Sequence, residues 1–404
     1  MTDAVADAVA AAHRSEWSRI VATLIRITRD WSLAEDSTAE AFESAMVAWP
    51  RDGVPRNAGA WLTTVAKNRA LDRLRRSATL ARKLEMEAVM QELDQLEPEG
   101  HDIPDDRLRL IFTCCHPALP PEARIALTLR TVGGLTTPQI ARAFLVPESA
   151  IAQRIVRAKR KIADAGIPYR VPDGAQLQER LAGVLSVLYL AFSAGYSAAA
   201  DDLLCDEAIR LTRELVALMR DEPEAVGLLA LMLFQHSRRG ARLDATGALV
   251  TLEEQDRSAW DAELTAEGRH LLAVAARRER PGSYQLQAAI AAAHATAPSA
   301  SATDWATIVL LYDRLLELSP TYVIAFNRSI ALGMARGPEA GLAAIDRIEG
   351  DLGHLRPAAR ADLLHRAGRA AEAAAEYRAA IDAAPSDAER RALDRRLATI
   401  ECPP

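Results

Sequence analysis

Residues 133–166, GGLTTPQIARAFLVPESAIAQRIVRAKRKIADAG, constrain this chain more than any other stretch. The spacing predicts two helices joined by a tight turn. Thr136 can cap the first helix, and Gln139 three residues later completes a capping box. Ile140 and Ala141 face inward on that helix, which runs to about Phe144. Leu145-Val146-Pro147 breaks the run, because proline disfavours helix in the residue before it yet suits the first turn of the next. The second helix then starts near Glu148 and ends at Gly166, with Pro168 just beyond. Ile151, Ile155, Ala158 and Ile162 form one stripe at i, i+4, i+7 and i+11. Gln153, Arg154, Arg157, Arg160 and Lys161 form the opposite face. An apolar side for packing and a basic side for solvent are what a helix needs to enter a major groove, where Arg and Gln reach base edges and phosphates. A solvated basic face on an ordinary helical hairpin is the simpler alternative. Turn spacing, cap and face segregation together favour DNA.

A net charge of −6 over 404 residues argues the other way until the charge is located. Between Arg51 and Lys83 lie nine basic residues (51, 56, 67, 69, 73, 75, 76, 82 and 83) against only Asp52 and Asp72. The positive charge is local and the acidity is spread elsewhere. The length suggests two or three domains. No apolar run is long enough to span a bilayer, and the polar, alanine-rich start carries no secretion signal. The four cysteines (114, 115, 205 and 402) are too few for a disulfide framework and suit a reducing cytoplasm, the expected location. Alanine dominates and hairpin signals are scarce, so the expected fold is all-α.

In chain order, Trp17 to Arg29 reads as a first helix, with Trp17, Ile20, Leu24 and Ile27 on one side. A second begins at Ser32, its expected cap, with Glu35 at the third position. Leu33, Ala41, Met46 and Trp49 supply bulk, while Asp36 and Glu40 make an acidic stripe. Pro50 to Pro55 is expected to be a loop. Asn57 caps a third helix, NAGAWLTTVAKNRALDRLRRS, anchored by Trp61 and Leu62. Its second half aligns Arg69, Arg73 and Arg76, with Asn68, Asp72 and Arg75 on the adjoining stripe and Leu71 and Leu74 toward a core. That pattern fits a nucleic-acid surface or a solvated helix laced with ion pairs equally well. Leu80 to Glu99 is a charged, weakly patterned linker with some helix. Two further helices precede the helix-turn-helix. Cys114-Cys115-His116 fits no common zinc spacing, so these cysteines are expected to be buried thiols, with no metal and no cofactor.

Tyr169-Arg170-Val171-Pro172 is an extended linker, and from Gln176 to Ile400 the chain is helix after helix. LYDRLLELSP ends at Pro320 and EYRAAIDAAP at Pro385, each with a tyrosine eight residues before its proline. Their separation is close to two tetratricopeptide periods of about 34 residues. Residues 176–300 show no clear period, and LEEQDRSAWD, centred on Trp260, matches no repeat signature. Stacked helical pairs commonly bind protein or peptide; a purely structural tail is the alternative. His236, His270, His294, His354 and His365 are scattered without ligand spacing, and no nucleotide loop or nucleophile motif is present, so no enzyme is expected.

The order of these pieces, AED on one helix, a loop, AWLTTVAKNRALDRLRR, a linker and then the helix-turn-helix, resembles regions 2 and 4 of a bacterial sigma factor of the extracytoplasmic-function (ECF) type. TCCHPAL, AFLVPESAIAQRIVRAKRKI, GLLALMLF, LEEQDRSAWD, YQLQAAIAAAHA, DWATIVLLYDRL and FNRSIAL are similar to the group with a C-terminal tetratricopeptide-like domain. The resemblance implies region 2 over residues 1–85, a linker over 86–105, region 4 over 106–170 and the tetratricopeptide-like domain over 171–404. It implies core RNA polymerase and promoter DNA as partners. Asp36 and Glu40 would dock on the β′ clamp, and region 4 would meet the β flap. The loop 50–57 and helix 61–76 would open and read the −10 element through Asn68, Arg69, Asp72, Arg73, Arg75 and Arg76. Ser149, Gln153, Arg154, Arg157 and Lys161 would read the −35 element. The chain departs from the sigma pattern at Ala39, where many members carry Gln, at Leu145, which replaces the usual turn glycine, and at Ala150 and Ala152. The tail would regulate or bind a protein partner, and the short linker before it makes it necessary for normal activity. Two other readings stand beside this one: a dimeric helix-turn-helix repressor or activator with a helical sensor domain, and a tetratricopeptide-type scaffold.

Overall fold

A computed structural model describes residues 2–77, 83–95, 104–144, 146–197, 202–244 and 248–401. Apart from one isolated bridge between Leu243 and Leu249, the regular elements among the described residues are helical, as expected. The chain divides into two compact units, Met1–Leu218 and Met219–Pro404. The first holds α1 (Thr2–Thr28), α2 (Trp31–Asp52), α3 (Ala58–Ser77), α4 (Lys83–Asp94), α5 (Pro104–Cys114), α6 (Pro121–Leu127), α7 (Thr137–Ala143), α8 (Glu148–Asp164), α9 (Gly174–Ser197) and α10 (Asp202–Leu218). A π-helical segment, Thr128–Val132, follows α6 directly. The unit therefore continues beyond residue 170 and includes the first two helices of the expected tail.

Helix α1 is the axis of this unit. Residues 20–25, IVATLI, are all buried, so this part of the helix has no solvent face. A helix buried all round belongs in a core, and α1 packs against α2, α3, α4, α5 and the π segment. It begins well before Trp17, and it ends at Thr28 because Arg29 takes a left-handed φ of 54°. The cap of α2 also differs from expectation. Asp30, not Ser32, accepts from the amides of Ser32 and Leu33, both at 3.0 Å. Ser32 looked like the cap because Glu35 stands three residues later, but the Glu35 carboxylate is used elsewhere. Helix α2 continues through Pro50 to Asp52, where the loop was expected to have begun, and Gly53 closes it with its amide on the Trp49 carbonyl. Pro50 withholds one donor in the final turn, where Met46 and Val47 face solvent, so the helix survives it. Met46 is 64% exposed and supplies no core bulk, unlike Leu33, Ala41 and Trp49.

Three sets of polar contacts join the parts of this unit. Glu35 on α2 is buried, and it meets Lys159 Nζ of α8 at 3.0 Å, Arg130 Nε of the π segment at 3.6 Å and the Thr131 hydroxyl at 2.7 Å. Trp17 of α1 donates to the Thr131 carbonyl at 3.0 Å. On α10, Glu214 accepts from the Ser18 hydroxyl at 2.9 Å and from Arg107 of α5 at 3.0 Å. Arg210 reaches the Arg14 carbonyl at 2.8 Å and forks onto Glu207. The expected linker around Tyr169 is tied as well, its hydroxyl lying within hydrogen-bond reach of the Ala22 and Asp106 carbonyls.

Backbone and side chains approach closely at Gly133-Gly134. Gly134 has φ +74°, and a Cβ there would come within 2.6 Å of the His13 ring and 3.0 Å of Trp17; one on Gly133 would meet Glu207. His13 stacks on Trp17 with ring centroids 5.0 Å apart and tilts against Phe42 at the same distance.

The second unit holds α11 (Pro223–Ser237), α12 (Ala262–Ala276), α13 (Ser283–Ala295), α14 (Trp305–Leu318), α15 (Tyr322–Arg336), α16 (Pro338–Ile345), α17 (Leu355–Arg366), α18 (Ala370–Asp382) and α19 (Asp387–Glu401). Helix α11 is its axis: every residue except Glu224 and Gln235 is buried, and α12 and α13 pack on it. The LEEQDRSAWD stretch has a structural explanation. Arg257 lies 4.9 Å over the Trp260 ring and donates to the His294 and Ala297 carbonyls at the end of α13. Asp261 caps α12 by accepting from Glu263 and Leu264. The same connection pairs Asp244 with Arg395 of α19 and Glu253 with Arg366 of α17, tying early to late helices of the unit.

Two outcomes follow from this packing. Asp30→Ala removes two charge-assisted cap bonds and is expected to cost about 1 kcal/mol in chemical denaturation, with Ser32→Ala nearly silent; the reverse order would return the cap to Ser32. Burial, helped by the positive charges of Arg210, Arg130 and Arg14, pushes the His13 pKa down to about 4. Between pH about 6.5 and 4 the unfolded chain binds a proton that the folded chain refuses. The His13 contribution to stability is thus complete above pH 6.5 and is lost as pH falls toward 4. His13→Gln should flatten that part of the denaturation profile, and an unchanged profile would contradict it.

Candidate nucleic-acid interface

The first surface lies where α2 and α3 run side by side. Asn57 starts α3 as expected, its side chain accepting from the Ala60 amide at 2.9 Å. Leu62, Ala66, Ala70 and Leu71 are buried, and this turns Asn68, Arg69, Asp72, Arg75 and Arg76 outward. Arg73 is half-buried and leans back onto the acidic stripe of α2. It donates to Asp36 at 2.9 Å and to Glu40, and these bonds raise its pKa. Arg69 lies 3.6 Å from Glu40, and Arg75 lies 3.6 Å from Asp72. Glu40, Ser44, Val47, Arg69, Asp72, Arg73 and Arg76 line a shallow cavity of about 700 Å³ together with Glu43. The residues assigned separately to polymerase (Asp36, Glu40) and to the −10 element (Arg69, Arg73) are thus engaged with one another here. Exposed pairs of this kind are worth about 0–1 kcal/mol each, so a stronger ligand can part them.

The second surface is the outer face of α8. The capping box of α7 forms as the sequence indicated. The Gln139 side chain accepts from the Thr136 amide at 2.8 Å, and the Gln139 amide donates to the Thr136 hydroxyl at 3.4 Å. Ile140, Ile151, Ile155, Ala158 and Ile162 are buried, which fixes the rotation of α8. Ser149, Gln153, Arg157, Arg160 and Lys161 are exposed, and Arg154 is half-buried. Arg157 bonds back to Gln153 through its carbonyl at 3.3 Å and its side chain at 3.4 Å, and Arg160 pairs with Asp164 at 3.3 Å. Arg154, Arg157 and Lys161 line a groove of about 540 Å³ against Leu119, Pro120 and Glu122 at the start of α6. Leu145, the departure in the turn, lies outside the described residues.

Lys159 is the α8 cation that sequence reading missed. Its side chain is only 18% exposed and points to Glu35, away from the outer basic face. The signal was present, since position 159 is four after Ile155 and three before Ile162, on the buried flank. Cys114 and Cys115 are buried thiols as expected. Burial pushes both thiols up, Cys115 to about 11, so both stay protonated at neutral pH. Among the described residues no group of three or more His, Cys, Asp or Glu could hold a metal ion, and no helix is long and apolar enough to cross a membrane.

Comparison with known proteins adds sequence relationships to this geometry. Residues 13–79 match the family described as Sigma-70 region 2, and residues 109–162 match Sigma-70, region 4. Residues 180–276 match a family of unknown function, DUF6596, whose span crosses the division between the two units. An uncharacterized protein of Rhizobium meliloti (strain 1021) is 44% identical over 398 residues, covering 94% of this chain and 93% of that protein. The probable ECF RNA polymerase sigma factor SigI of Mycobacterium tuberculosis (strain H37Rv) is 28% identical over 40% of this chain, and the match spans 56% of that relative's length. The ECF RNA polymerase sigma factor SigK of Mycobacterium bovis (strain BCG / Pasteur 1173P2) is 30% identical over 36% of this chain and 78% of its own. No solved structure matches the chain. With a region 2 carrying the α2–α3 surface, a region 4 carrying α8, and a relative of this kind covered over most of its length, the chain belongs to the sigma-70 family, among the ECF RNA polymerase sigma factors.

Proposed function

We propose that this chain directs promoter-specific initiation by bacterial core RNA polymerase. The reading rests above all on two separate basic surfaces, on α3 and on α8, each set by a buried apolar stripe and each lying in a matched sigma region. A dimeric repressor needs one recognition helix per subunit and has no use for the first surface. In this reading Asp36 and Glu40 meet the β′ clamp, and region 4 meets the β flap. Asn68, Arg69, Asp72, Arg73, Arg75 and Arg76 hold the non-template strand of the −10 element as bases leave the stack, a step that costs a few kcal/mol and that basic contacts offset. Ser149, Gln153, Arg154, Arg157 and Lys161 read the −35 element in duplex form.

Helices α14–α19 are read as tetratricopeptide-like pairs that regulate the factor or bind a protein partner. Supporting this, Tyr312 and Tyr377 sit at matching places on α14 and α18, with Pro320 and Pro385 just past the helix ends. Tyr377 is buried and bonds to Asp362, which also takes Arg396 at 2.7 Å.

Run-off transcription with purified core polymerase, on DNA upstream of the gene and its neighbours, tests the reading. Specific transcripts are expected only when the chain is added. A bidentate Arg–guanine contact discriminates by about 1–3 kcal/mol, so Arg154→Ala and Arg157→Ala should each cut these transcripts by roughly 10-fold while leaving co-purification with core intact. Transcripts indifferent to both substitutions would remove α8 from promoter reading, and a scaffold would be the better account.

A further inference from the structure

Between α11 and α12, within the second unit, residues 242–256 read RLDATGALVTLEEQD: one cation, Arg242, against the carboxylates of Asp244, Glu253, Glu254 and Asp256. The first half of this segment is closed by the Leu243–Leu249 bridge, with the Asp244 amide donating to the Ala248 carbonyl at 2.9 Å and the Val250 amide to the Arg242 carbonyl at 2.8 Å. The Asp244 side chain accepts from the Ala248 amide at 2.9 Å. Two carboxylates reach across the unit. Asp244 pairs with Arg395 of α19, and Glu253 pairs with Arg366, the last residue of α17. Arg395 also donates to the Leu249 carbonyl at 2.8 Å. Burial alone would raise the Glu254 carboxyl, but bonds from Thr251 and the charges of Arg396 and Arg395 outweigh it and hold it below the usual carboxylate range. An acidic strap thus lies on basic ends of α17 and α19.

This strap is held by its charges rather than by burial. The side chains of the two cross-pairs are between 28% and 43% exposed, and pairs this wet are weak and screened by salt. Among its described residues, 242–244 and 248–254, only Ala248 is buried. The end that follows is fixed differently: Gln255 and Trp260 are buried, and Arg257 grips the end of α13. The helices beneath are packed without the strap. The apolar clusters that join α15 to α19 are built from their own residues, among them Phe326, Leu342, Leu363, Tyr377 and Leu393. Lifting the strap therefore leaves the helices in place and bares Arg366 and Arg395.

We propose that Arg366 and Arg395 mark a binding surface for an extended acidic segment of a partner protein, and that Asp244 and residues 248–254 cover it in the free chain. The inference rests on the reading of α14–α19 as partner-binding helices, and it names the chemistry of the partner and the face it meets. Guanidinium groups take carboxylates in charge-assisted bonds, and arginines spaced along stacked helices are a common way to hold acidic motifs. The strap is the template for such a partner. It meets α17 and α19 through separated carboxylates and a backbone carbonyl, so the partner needs spaced Asp or Glu on extended backbone. A tethered strap has a high effective concentration, so a partner displaces it only by matching more than one of its contacts.

The test uses the full chain and a fluorescein-labelled peptide of residues 242–256, with amide hydrogen exchange read by mass spectrometry. Asp244→Asn with Glu253→Gln discharges both cross-pairs and keeps the acceptors, including the one for the Ala248 amide. In this variant, exchange over residues 248–254 is expected to rise roughly 10-fold while α11 and α15–α19 keep the parent's rates. The peptide is expected to bind it at least about 10-fold tighter than the parent, in which the strap competes. Adding Arg366→Gln and Arg395→Gln, with exchange in α17–α19 still native, is expected to abolish binding, as is Asn and Gln in place of the peptide's Asp and Glu residues. Strap exchange that stays at the parent's rate overturns the proposal, because the carboxylates then do not hold the strap. Peptide binding that survives Arg366→Gln and Arg395→Gln overturns this surface and leaves the partner-binding reading standing. A strap that loosens while no chain binds the peptide leaves α14–α19 as a structural tail, and the partner-binding reading falls with the proposal. None of these readouts passes through transcription, so the sigma reading is tested apart from them.

Discussion

A buried glutamate sets the arrangement of the first unit. Glu35 sits on the apolar stripe of α2, where an unpaired carboxylate is costly. It is stable only because Lys159, Arg130 and Thr131 come to it from beyond the linker. Removing one partner of such a group typically costs about 3–5 kcal/mol, more than any cap or surface pair in the unit contributes. The Lys159 contact ties α8 to α2, while α6 and α7 pack on α8 and leave its Gln153–Arg157 face outward. Beside this contact, the π segment that carries Arg130 and Thr131 also receives the Trp17 indole and leads into Gly133-Gly134.

Much of this was legible in the sequence. The Thr136 and Asn57 caps, the buried stripe of α8 and the outward Arg–Asn face of α3 come from local periodicity and cap chemistry, which act within a few residues. What escaped was long-range. Glu35 lies three before Thr38 and seven before Phe42, on the buried face of α2, so a charge on an apolar stripe was visible. Nothing local says where its partner is. Reading Glu35 as a capping-box residue gave it a nearby role and moved the cap from Asp30 to Ser32. Lys159 was passed over for the same reason: inside a run of Arg and Lys, its place on the inner flank shows only once the stripe is extended through it. The outward turn of Met46 and the persistence of α2 through Pro50 also depend on which side of the helix meets solvent.

The extension is less legible, and the reason is structural. Its first two helices pack into the unit that carries the sigma regions, while α11 is the axis of the second unit. The match to a family of unknown function spans both, so no period covers it. LEEQDRSAWD had no reading as a repeat because it is a connection: Arg257 and Trp260 close the end of α13, Asp261 caps α12, and its neighbours reach α17 and α19. Only past Trp305 do tyrosine and proline recur at helix-pair spacing.

The proposed function requires two separate surfaces of this chain to meet one promoter, and to do so only with polymerase. Hydroxyl-radical footprinting on a promoter fragment tests it directly, with core polymerase and the full chain together and with the chain alone. Two protected patches near −10 and −35 in the ternary complex, and no matching pair with the chain alone, is the predicted result. A single continuous footprint formed by the chain without polymerase would contradict the account.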